Sequence, residues 1–150
     1  MEKIKVLFLD IDGVCNCLHT RQRSRGFIGI DPYMAFMVGK IVLDTGCKVV
    51  LSSSWRHFDG GVEEVKAQVC DLLDVTGTEP HDDNLPPGAA NMQRGREIKA
   101  WLDKHPEVER YAIVDDENDM LPEQQKNFFK TTWNTGITES VAKEITEHLK

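Results

Sequence analysis

Four apolar runs of strand length recur along the chain, and each predicts a buried β-strand. They cover residues 4–11, 47–53, 110–116 and 128–132, with the sequences IKVLFLDI, CKVVLSS, RYAIVDD and FFKTT. None shows the regular alternation of apolar and polar residues that is typical of a strand with one solvated face. We therefore expect these strands to be covered on both faces.

The segments between these runs carry helix signals. Residues 31–46 begin with Asp31 and Pro32, a typical N-cap and first helical residue, and stop at Gly46. Residues 62–73 place apolar side chains at spacings of three and four, and residues 95–105 and 139–150 are two further helical segments, the last with Thr138 as its cap. Strands that alternate with helices predict a doubly wound, Rossmann-like α/β fold with a parallel sheet and helices on both faces.

Length, charge and cysteine content narrow the class of protein. With 150 residues the chain is expected to form one domain. No apolar run approaches the roughly 20 residues that a bilayer crossing needs, so no membrane contact and a cytoplasmic location are expected. The four cysteines lack CxxC spacing and are expected to be reduced. The net charge of −7 argues against broad nucleic-acid binding but leaves room for a local basic patch. The oligomeric state stays open.

Polar side chains follow three of the predicted strands directly. They are Asp10, Asp12 and Gly13 after the first strand, Ser52, Ser53 and Ser54 after the second, and Asp115, Asp116, Asn118 and Asp119 after the third. In an open parallel sheet the carboxyl ends of the strands meet at one edge, where ligands bind. Several carboxylates at that edge would repel one another unless a cation offset their charge. Oxygen ligands of this kind favour Mg²⁺.

The segment FLDIDG resembles the first motif of the haloacid dehalogenase (HAD) superfamily. The other three motifs of that superfamily are matched in order by VVLSSSW, QRGREI and IVDDEND, and together the matches span nearly the whole chain. The resemblance implies a single HAD-like hydrolase domain over residues 1–150. It also implies a Mg²⁺-dependent phosphatase for phosphomonoesters that works through an aspartyl-phosphate.

The same resemblance assigns roles to the acidic residues. Asp10 would be the nucleophile that attacks phosphorus, and Asp12 the acid and base that serves the leaving oxygen and then water. Mg²⁺ would be held by Asp10, by the backbone carbonyl of Asp12 and by Asp115, with Asp119 in support. Asp116 is an alternative to Asp119 as the fourth site residue.

Two of the phosphate-binding positions admit more than one residue. Ser53, or Ser52 if the strand register differs by one, would donate a hydrogen bond to the phosphoryl oxygens. Arg94, Arg96 and Lys99 compete for the basic position of the third motif. Arg94 is preferred because it precedes the predicted helix. Its positive charge would stabilise the transferring phosphoryl group.

The spacing of the motifs leaves no room for a full cap domain, which favours a substrate too large to be enclosed. In the segment HTRQRSR, an extended loop would place Arg21, Arg23 and Arg25 on one side, where they could contact successive phosphates. After the second motif, Trp55 could stack on a base and Arg56 could contact a phosphate, although a tryptophan in this position is more often part of the core.

The segments LSSSWR, RGREIKAWL and TTWNTGIT are together similar to capless HAD domains of RNA-repair proteins, and more distantly to polynucleotide kinase-phosphatases. This resemblance implies a phosphatase in nucleic acid repair that acts on RNA or DNA ends, with a 3′-phosphate favoured. One alternative is a phosphatase of free nucleotides or small metabolites, with residues 81–93 as a lid. Another is a non-catalytic module that binds Mg²⁺ or phosphate.

Overall fold

A five-stranded parallel sheet forms the centre of the protein, as the sequence predicts. The computed structural model describes residues 1–80, 84 and 91–150. The strands are β1 (Ile4–Leu9), β2 (Arg23–Ser24), β3 (Phe27–Ile28), β4 (Lys48–Leu51), β5 (Asp74–Val75), β6 (Val108–Asp115) and β7 (Phe128–Lys130). The sheet has the order β5-β4-β1-β6-β7, and all of its pairs are parallel. The central strand is therefore β1, which Asp10 follows directly.

Among the described residues, four α-helices and two short 3-10 helices lie between and after the strands. The α-helices are α1 (Pro32–Thr45), α2 (Gly61–Gln68), α3 (Gln93–Asp103) and α4 (Glu139–Leu149), and the 3-10 helices cover Ser54–His57 and Pro122–Asn127. The predicted caps are present: Asp31 accepts from the backbone of Tyr33, and Thr138 accepts from that of Val141. Gly46 ends α1 in the left-handed conformation that glycine adopts without cost.

Both faces of the sheet are covered, which confirms the doubly wound fold. Alternate residues of β1 enter different cores: Leu7 and Leu9 pack with α1 and α4, whereas Val6 and Phe8 pack with Ile98 and Trp101 of α3. The Phe8 ring meets the ring of Trp101 edge-on at a centroid distance of 5.5 Å. Apolar packing thus holds the central strand from both sides.

Several boundaries differ from the predictions. β1 ends at Leu9, so Asp10 and Asp12 lie in the loop that follows the strand rather than within it. α2 ends at Gln68 and is followed by the short strand β5, which the sequence did not indicate. The antiparallel hairpin of β2 and β3 was also not predicted. The lid predicted at residues 81–93 falls partly on residues 81–83 and 85–90, which lie outside the described residues.

Two expectations about membranes and thiols can be compared with the described residues. No helix among them has the length and hydrophobicity that a bilayer crossing requires. All four cysteines are free thiols, and Cys15, Cys17 and Cys47 are buried. The cysteines therefore pack as small apolar side chains, and none of them forms a disulfide.

The substitution Phe8→Ala should lower the free energy of unfolding by about 3–5 kcal/mol, because it leaves a cavity between β1 and α3. The side chain is fully buried and contacts the rings of Trp101 and Tyr111. Urea unfolding monitored by circular dichroism measures the change. Leu43→Ala is the control, since Leu43 is 83% exposed. Equal effects of the two variants would contradict the packing described above.

Candidate active site

The carboxyl ends of β1, β4 and β6 meet at one edge of the sheet, and backbone hydrogen bonds extend the pairing beyond the strands. The amide of Asp10 donates to the carbonyl of Val114 at 3.2 Å, and the amide of Ser52 donates to the carbonyl of Leu9 at 2.8 Å. Polar loops after three strands are thereby held side by side. The predicted convergence of these loops is present in the structure.

Three carboxylates form what we call the acidic cluster: Asp10, Asp115 and Asp116. One oxygen of each lies within 4.8 Å of the others. Gly13 makes this approach possible, because a Cβ atom at that position would lie 2.3 Å from Oδ2 of Asp116. Its φ of +83° is also a conformation that other residues adopt with strain. The glycine of the DIDG segment is therefore required by both space and backbone geometry.

Burial raises the pKa of the two innermost carboxyl groups. The pKa of Asp10 is raised well above its usual value, first by desolvation and then by the charge of Asp115, while Arg94 opposes the shift. The pKa of Asp115 is raised to about 7, again chiefly by desolvation. Without a cation, one proton is thus favoured between these neighbouring carboxylates. This is the electrostatic situation that a bound divalent ion would relieve.

Asp12 lies outside the acidic cluster and is held by two hydrogen bonds. Its Oδ1 accepts from Nδ2 of Asn16 at 2.9 Å and from Nε1 of Trp55 at 3.1 Å. The buried Asn16 also accepts from the backbone amide of Gly13 at 2.8 Å. One asparagine therefore orients both the turn after β1 and the second aspartate. Sequence analysis did not identify this role.

Around these residues lies an open pocket of about 220 Å³, which we call the acidic pocket. It is lined by Asp10, Asp12, Ser54, Arg94, Asp115, Asp116, Glu117 and Asp119. Arg94 is the basic residue among them. Ser54, the third serine of the run after β4, lines the pocket although neither Ser52 nor Ser53 does. The serine run was noted in the sequence, but Ser54 was not among the predicted site residues.

The three candidates for the basic third motif occupy different surroundings. Arg94 lies in the first turn of α3, not before the helix as predicted, and lines the acidic pocket. Arg96 donates to the carbonyl of Pro80 at 2.6 Å and to Oδ1 of Asn91 at 3.1 Å. Lys99 is exposed and pairs with Asp103 at 2.8 Å. Arg94 is thus the candidate that lies beside the carboxylates.

Glu97 is a buried carboxylate between two arginines. Its Oε2 lies 3.0 Å from Nη2 of Arg56, and its Oε1 lies 3.7 Å from Nη1 of Arg94. The longer distance exceeds a hydrogen bond, so Nη1 of Arg94 is buried without a hydrogen-bond partner among the described residues. The side chain of Glu97 is 2% exposed. It neutralises part of the positive charge of both arginines, of which Arg94 lines the acidic pocket.

The two predicted serines differ in their hydrogen bonds. Oγ of Ser53 accepts from the amide of Trp55 at 3.2 Å and caps the following 3-10 helix. Oγ of Ser52 is buried and, among the described residues, has no hydrogen-bond partner. A buried hydroxyl without a hydrogen-bond partner costs free energy unless a ligand supplies the partner. Asp119 likewise has a structural contact, because its Oδ2 accepts from the amide of Arg94 at 3.1 Å.

The structure corrects the expected arrangement of the three arginines after β1. Residues 23–28 form a hairpin instead of an extended loop, and Arg25 lies at its turn with a φ of +53°. Arg23 donates to the carbonyl of Thr20 at 2.9 Å, and Arg21 is exposed. The extended loop on which that expectation rested is therefore replaced by a hairpin at residues 23–28, and contact of these arginines with phosphates stays a prediction.

The structure also places Trp55 and Arg56, whose roles in substrate binding stay predictions. Trp55 is 2% exposed and belongs to the core, so its ring is not free to stack on a base in the solvent. The side chain of Arg56 is 7% exposed and is paired with Glu97. Both residues act on the site through their neighbours. Trp55 binds Asp12, and Arg56 shares Glu97 with Arg94.

The residues present fit a hard divalent cation. The acidic cluster supplies three carboxylates, burial raises the pKa of Asp10 and of Asp115, and the charge of Asp115 raises the pKa of Asp10 further. Carboxylate oxygens with space left for water are the usual environment of Mg²⁺ in proteins. Asp116, rather than Asp119, lies in the cluster with Asp10 and Asp115. Asp119 lines the same pocket at its α3 side.

Comparison with known proteins agrees with this geometry. The family model "HAD domain in Swiss Army Knife RNA repair proteins" matches residues 6–142. The matched range begins within β1 and ends within α4, so it contains the acidic cluster, Asp12, Arg94 and the whole sheet. No curated protein and no solved structure matches the chain significantly.

In the absence of metal, the acidic cluster should make stability depend on pH. The pKa of Asp115 rises from 3.8 to about 7 on folding. Between these two pH values, Asp115 is therefore mostly protonated in the folded chain and mostly ionised in the unfolded chain. Stability from this group is therefore complete below about pH 4 and lost as pH rises to about 7. In EDTA, the melting temperature of the wild type should fall relative to that of Asp115→Asn as the pH rises from about 4 to about 7. A constant difference would contradict the raised pKa.

Glu97→Gln should lower the free energy of unfolding by about 3 kcal/mol, because it leaves two arginines beside each other without their buried counter-charge. Urea unfolding of the metal-free protein measures the loss. Asp103→Asn is the matched control, since Asp103 lies on the same helix and pairs with Lys99 at the surface. That control should leave the midpoint unchanged. An effect confined to Asp103→Asn would refute the assignment.

Proposed function

Because the chain belongs to the family of HAD domains found in Swiss Army Knife RNA repair proteins, we propose that it is a Mg²⁺-dependent phosphatase that removes phosphate from polynucleotide ends. The observation that carries this proposal is the acidic cluster beside Arg94, whose Nη1 has no hydrogen-bond partner among the described residues. It combines ligands for a cation with a donor for a phosphate oxygen. Residues 1–150 are taken as one hydrolase domain, and the cytoplasmic location remains a prediction.

Asp10 is the proposed nucleophile. One of its carboxylate oxygens forms a bond to phosphorus while the bond from phosphorus to the leaving oxygen breaks, and the product is an aspartyl-phosphate. Asp12 donates a proton to the leaving oxygen. It then takes a proton from the water that attacks phosphorus, which releases inorganic phosphate and restores Asp10. The hydrogen bonds from Asn16 and Trp55 keep Asp12 oriented for both transfers.

Arg94 and Ser52 are the proposed donors to the phosphoryl oxygens. Nη1 of Arg94 and Oγ of Ser52 are both buried and both lack a hydrogen-bond partner among the described residues. Arg94 lines the acidic pocket, so a bound phosphate would lie beside its guanidinium group. Ser52 does not line the pocket, so its donation to the phosphate would require a shift of the segment of residues 52–54. This favours Ser52 over Ser53, whose hydroxyl already caps a helix. Glu97 limits the positive charge of the arginine pair and fixes its position.

The proposed Mg²⁺ would be held by Asp10 and Asp115, with Asp116 and Asp119 nearby and the backbone carbonyl of Asp12 as a further oxygen. When bound, the ion would shield the charge of the nucleophile and of the phosphoryl oxygens. Neutralising these charges allows Asp10 to act as a carboxylate at neutral pH in spite of its burial. The protein alone disfavours that ionised form.

The open form of the site supports a large substrate. Between β1 and β4 the chain forms the short β2–β3 hairpin and α1, so this interval contains no cap domain, and the described residues between β4 and α3 form only short elements. A strand end can therefore reach Asp10 without being enclosed. The family of RNA repair domains favours a polynucleotide over a metabolite, and we retain the 3′-phosphate as the favoured position.

Incubation of the protein and Mg²⁺ with an RNA oligonucleotide that carries a 3′-phosphate should release inorganic phosphate. Parallel reactions with the 5′-phosphate, with mononucleotides and with an aryl phosphate define the preference. Asp10→Asn should lower kcat by at least about 10³-fold, and EDTA should abolish release. Arg94→Ala should cost about 10²-fold, the usual effect of one lost donor to a developing anion.

Lys99→Ala is the matched control for Arg94→Ala. Both residues are basic and belong to α3, but Lys99 is exposed and pairs with Asp103 away from the pocket. Its substitution should leave kcat/KM unchanged. Release only from mononucleotides or aryl phosphate would replace the end-processing proposal by the metabolite alternative. Bound Mg²⁺ without release from any substrate would favour the non-catalytic module.

A further inference from the structure

A second pocket, of about 390 Å³, opens beside the acidic pocket. We call it the aromatic pocket, because its lining includes Phe27, Trp55, Phe58 and Trp133. Three of these rings are notably exposed: Phe27 by 76%, Phe58 by 43% and Trp133 by 37%. They come from three different segments, namely the hairpin, the end of the first 3-10 helix and the turn after β7. Large apolar rings gathered at an opening are typical of a binding site.

The aromatic pocket and the acidic pocket share a wall. Asp12 lines both of them. It accepts from Nε1 of Trp55 at 3.1 Å, so the buried ring of the aromatic pocket directly contacts the proposed general acid and base. A ligand whose phosphate lies against Asp10 would therefore have its next chemical group at the edge of the aromatic pocket.

Arg25 adds a fixed positive charge to this pocket. Its guanidinium carbon lies 5.8 Å from the ring centroids of both Trp55 and Phe58. Hydrogen bonds to the carbonyl of Asp59 and an ion pair with Glu64 at 3.2 Å hold it there. Because these contacts link the β2–β3 hairpin to the segment after β4, they keep Phe27 and Phe58 around one space. The pocket is thus preformed by contacts between distant parts of the chain.

We propose that the aromatic pocket binds the nucleobase of the nucleotide whose phosphate is removed, and that Phe27 and Trp133 are the rings on which this base stacks. The proposal rests on the phosphatase function proposed above and names the part of the substrate that is recognised. Flat aromatic rings bind bases of any sequence, because every base has a π-face. The same chemistry serves a free nucleoside monophosphate or the last nucleotide of a strand.

Two RNA oligonucleotides test the proposal. Both carry a 3′-phosphate, and one lacks the terminal base while it keeps the ribose. The wild type should have a higher kcat/KM for the oligonucleotide with the base. Trp133→Ala and Phe27→Ala should each reduce that preference by about tenfold, the scale of one base stacked on one ring. Phe36→Ala is the control, because Phe36 is 64% exposed on α1 and belongs to neither pocket.

A binding measurement distinguishes a failure of the base-binding proposal from a failure of the proposed phosphatase function. Adenosine monophosphate and the intact oligonucleotide are titrated into Asp10→Asn, with and without Trp133→Ala, and heat of binding is recorded. Weaker binding after Trp133→Ala supports the pocket even if no substrate is hydrolysed. Tighter binding of the oligonucleotide than of the mononucleotide would identify strand ends as the source. The proposal is overturned if Trp133→Ala changes neither the preference for the oligonucleotide with the terminal base nor the binding affinity. A protein partner would then be the alternative occupant of the aromatic pocket.

Discussion

Mutual repulsion among buried carboxylates is the constraint on which the rest of the site depends. The acidic cluster brings three oxygens within 4.8 Å of one another, and burial strengthens their repulsion. A parallel sheet imposes this closeness, because β1 and β6 are hydrogen-bonded neighbours that end at the same edge. The free-energy cost of this repulsion is offset by the apolar cores that hold the central strand on both faces.

The positive charge of Arg94 beside the acidic cluster is partly neutralised by Glu97. Arg94 lowers the pKa of both Asp10 and Asp115, but it is itself tied to Glu97. Glu97 also binds Arg56, so two guanidinium groups share one buried carboxylate. Within the part of the chain that the structure describes, this arrangement leaves Nη1 of Arg94 without a hydrogen-bond partner. That combination of a fixed charge and a free donor suits an anionic ligand better than a fully satisfied ion pair would.

Much of the fold could be predicted, because its strong signals are local. Continuous apolar strands, Asp31 and Gly46 at the ends of α1, and the DIDG turn all follow from short stretches of sequence. The hairpin was missed because β2 and β3 have two residues each, too few to carry a periodic pattern. Asn16 and Glu97 were missed for another reason. Their importance comes from tertiary contacts, such as that of Glu97 with Arg56, which no local pattern encodes.

In the proposed function, the aromatic pocket separates recognition of the substrate from the chemistry. The reacting groups lie on loops directly after the central strands, where apolar packing leaves little tolerance for change. The rings that face the solvent belong instead to a hairpin turn, a short helix end and a later turn. Substitutions in such surface segments rarely threaten the core. Related chains could therefore acquire different substrates by exchanging a few exposed side chains while they inherit the same reaction.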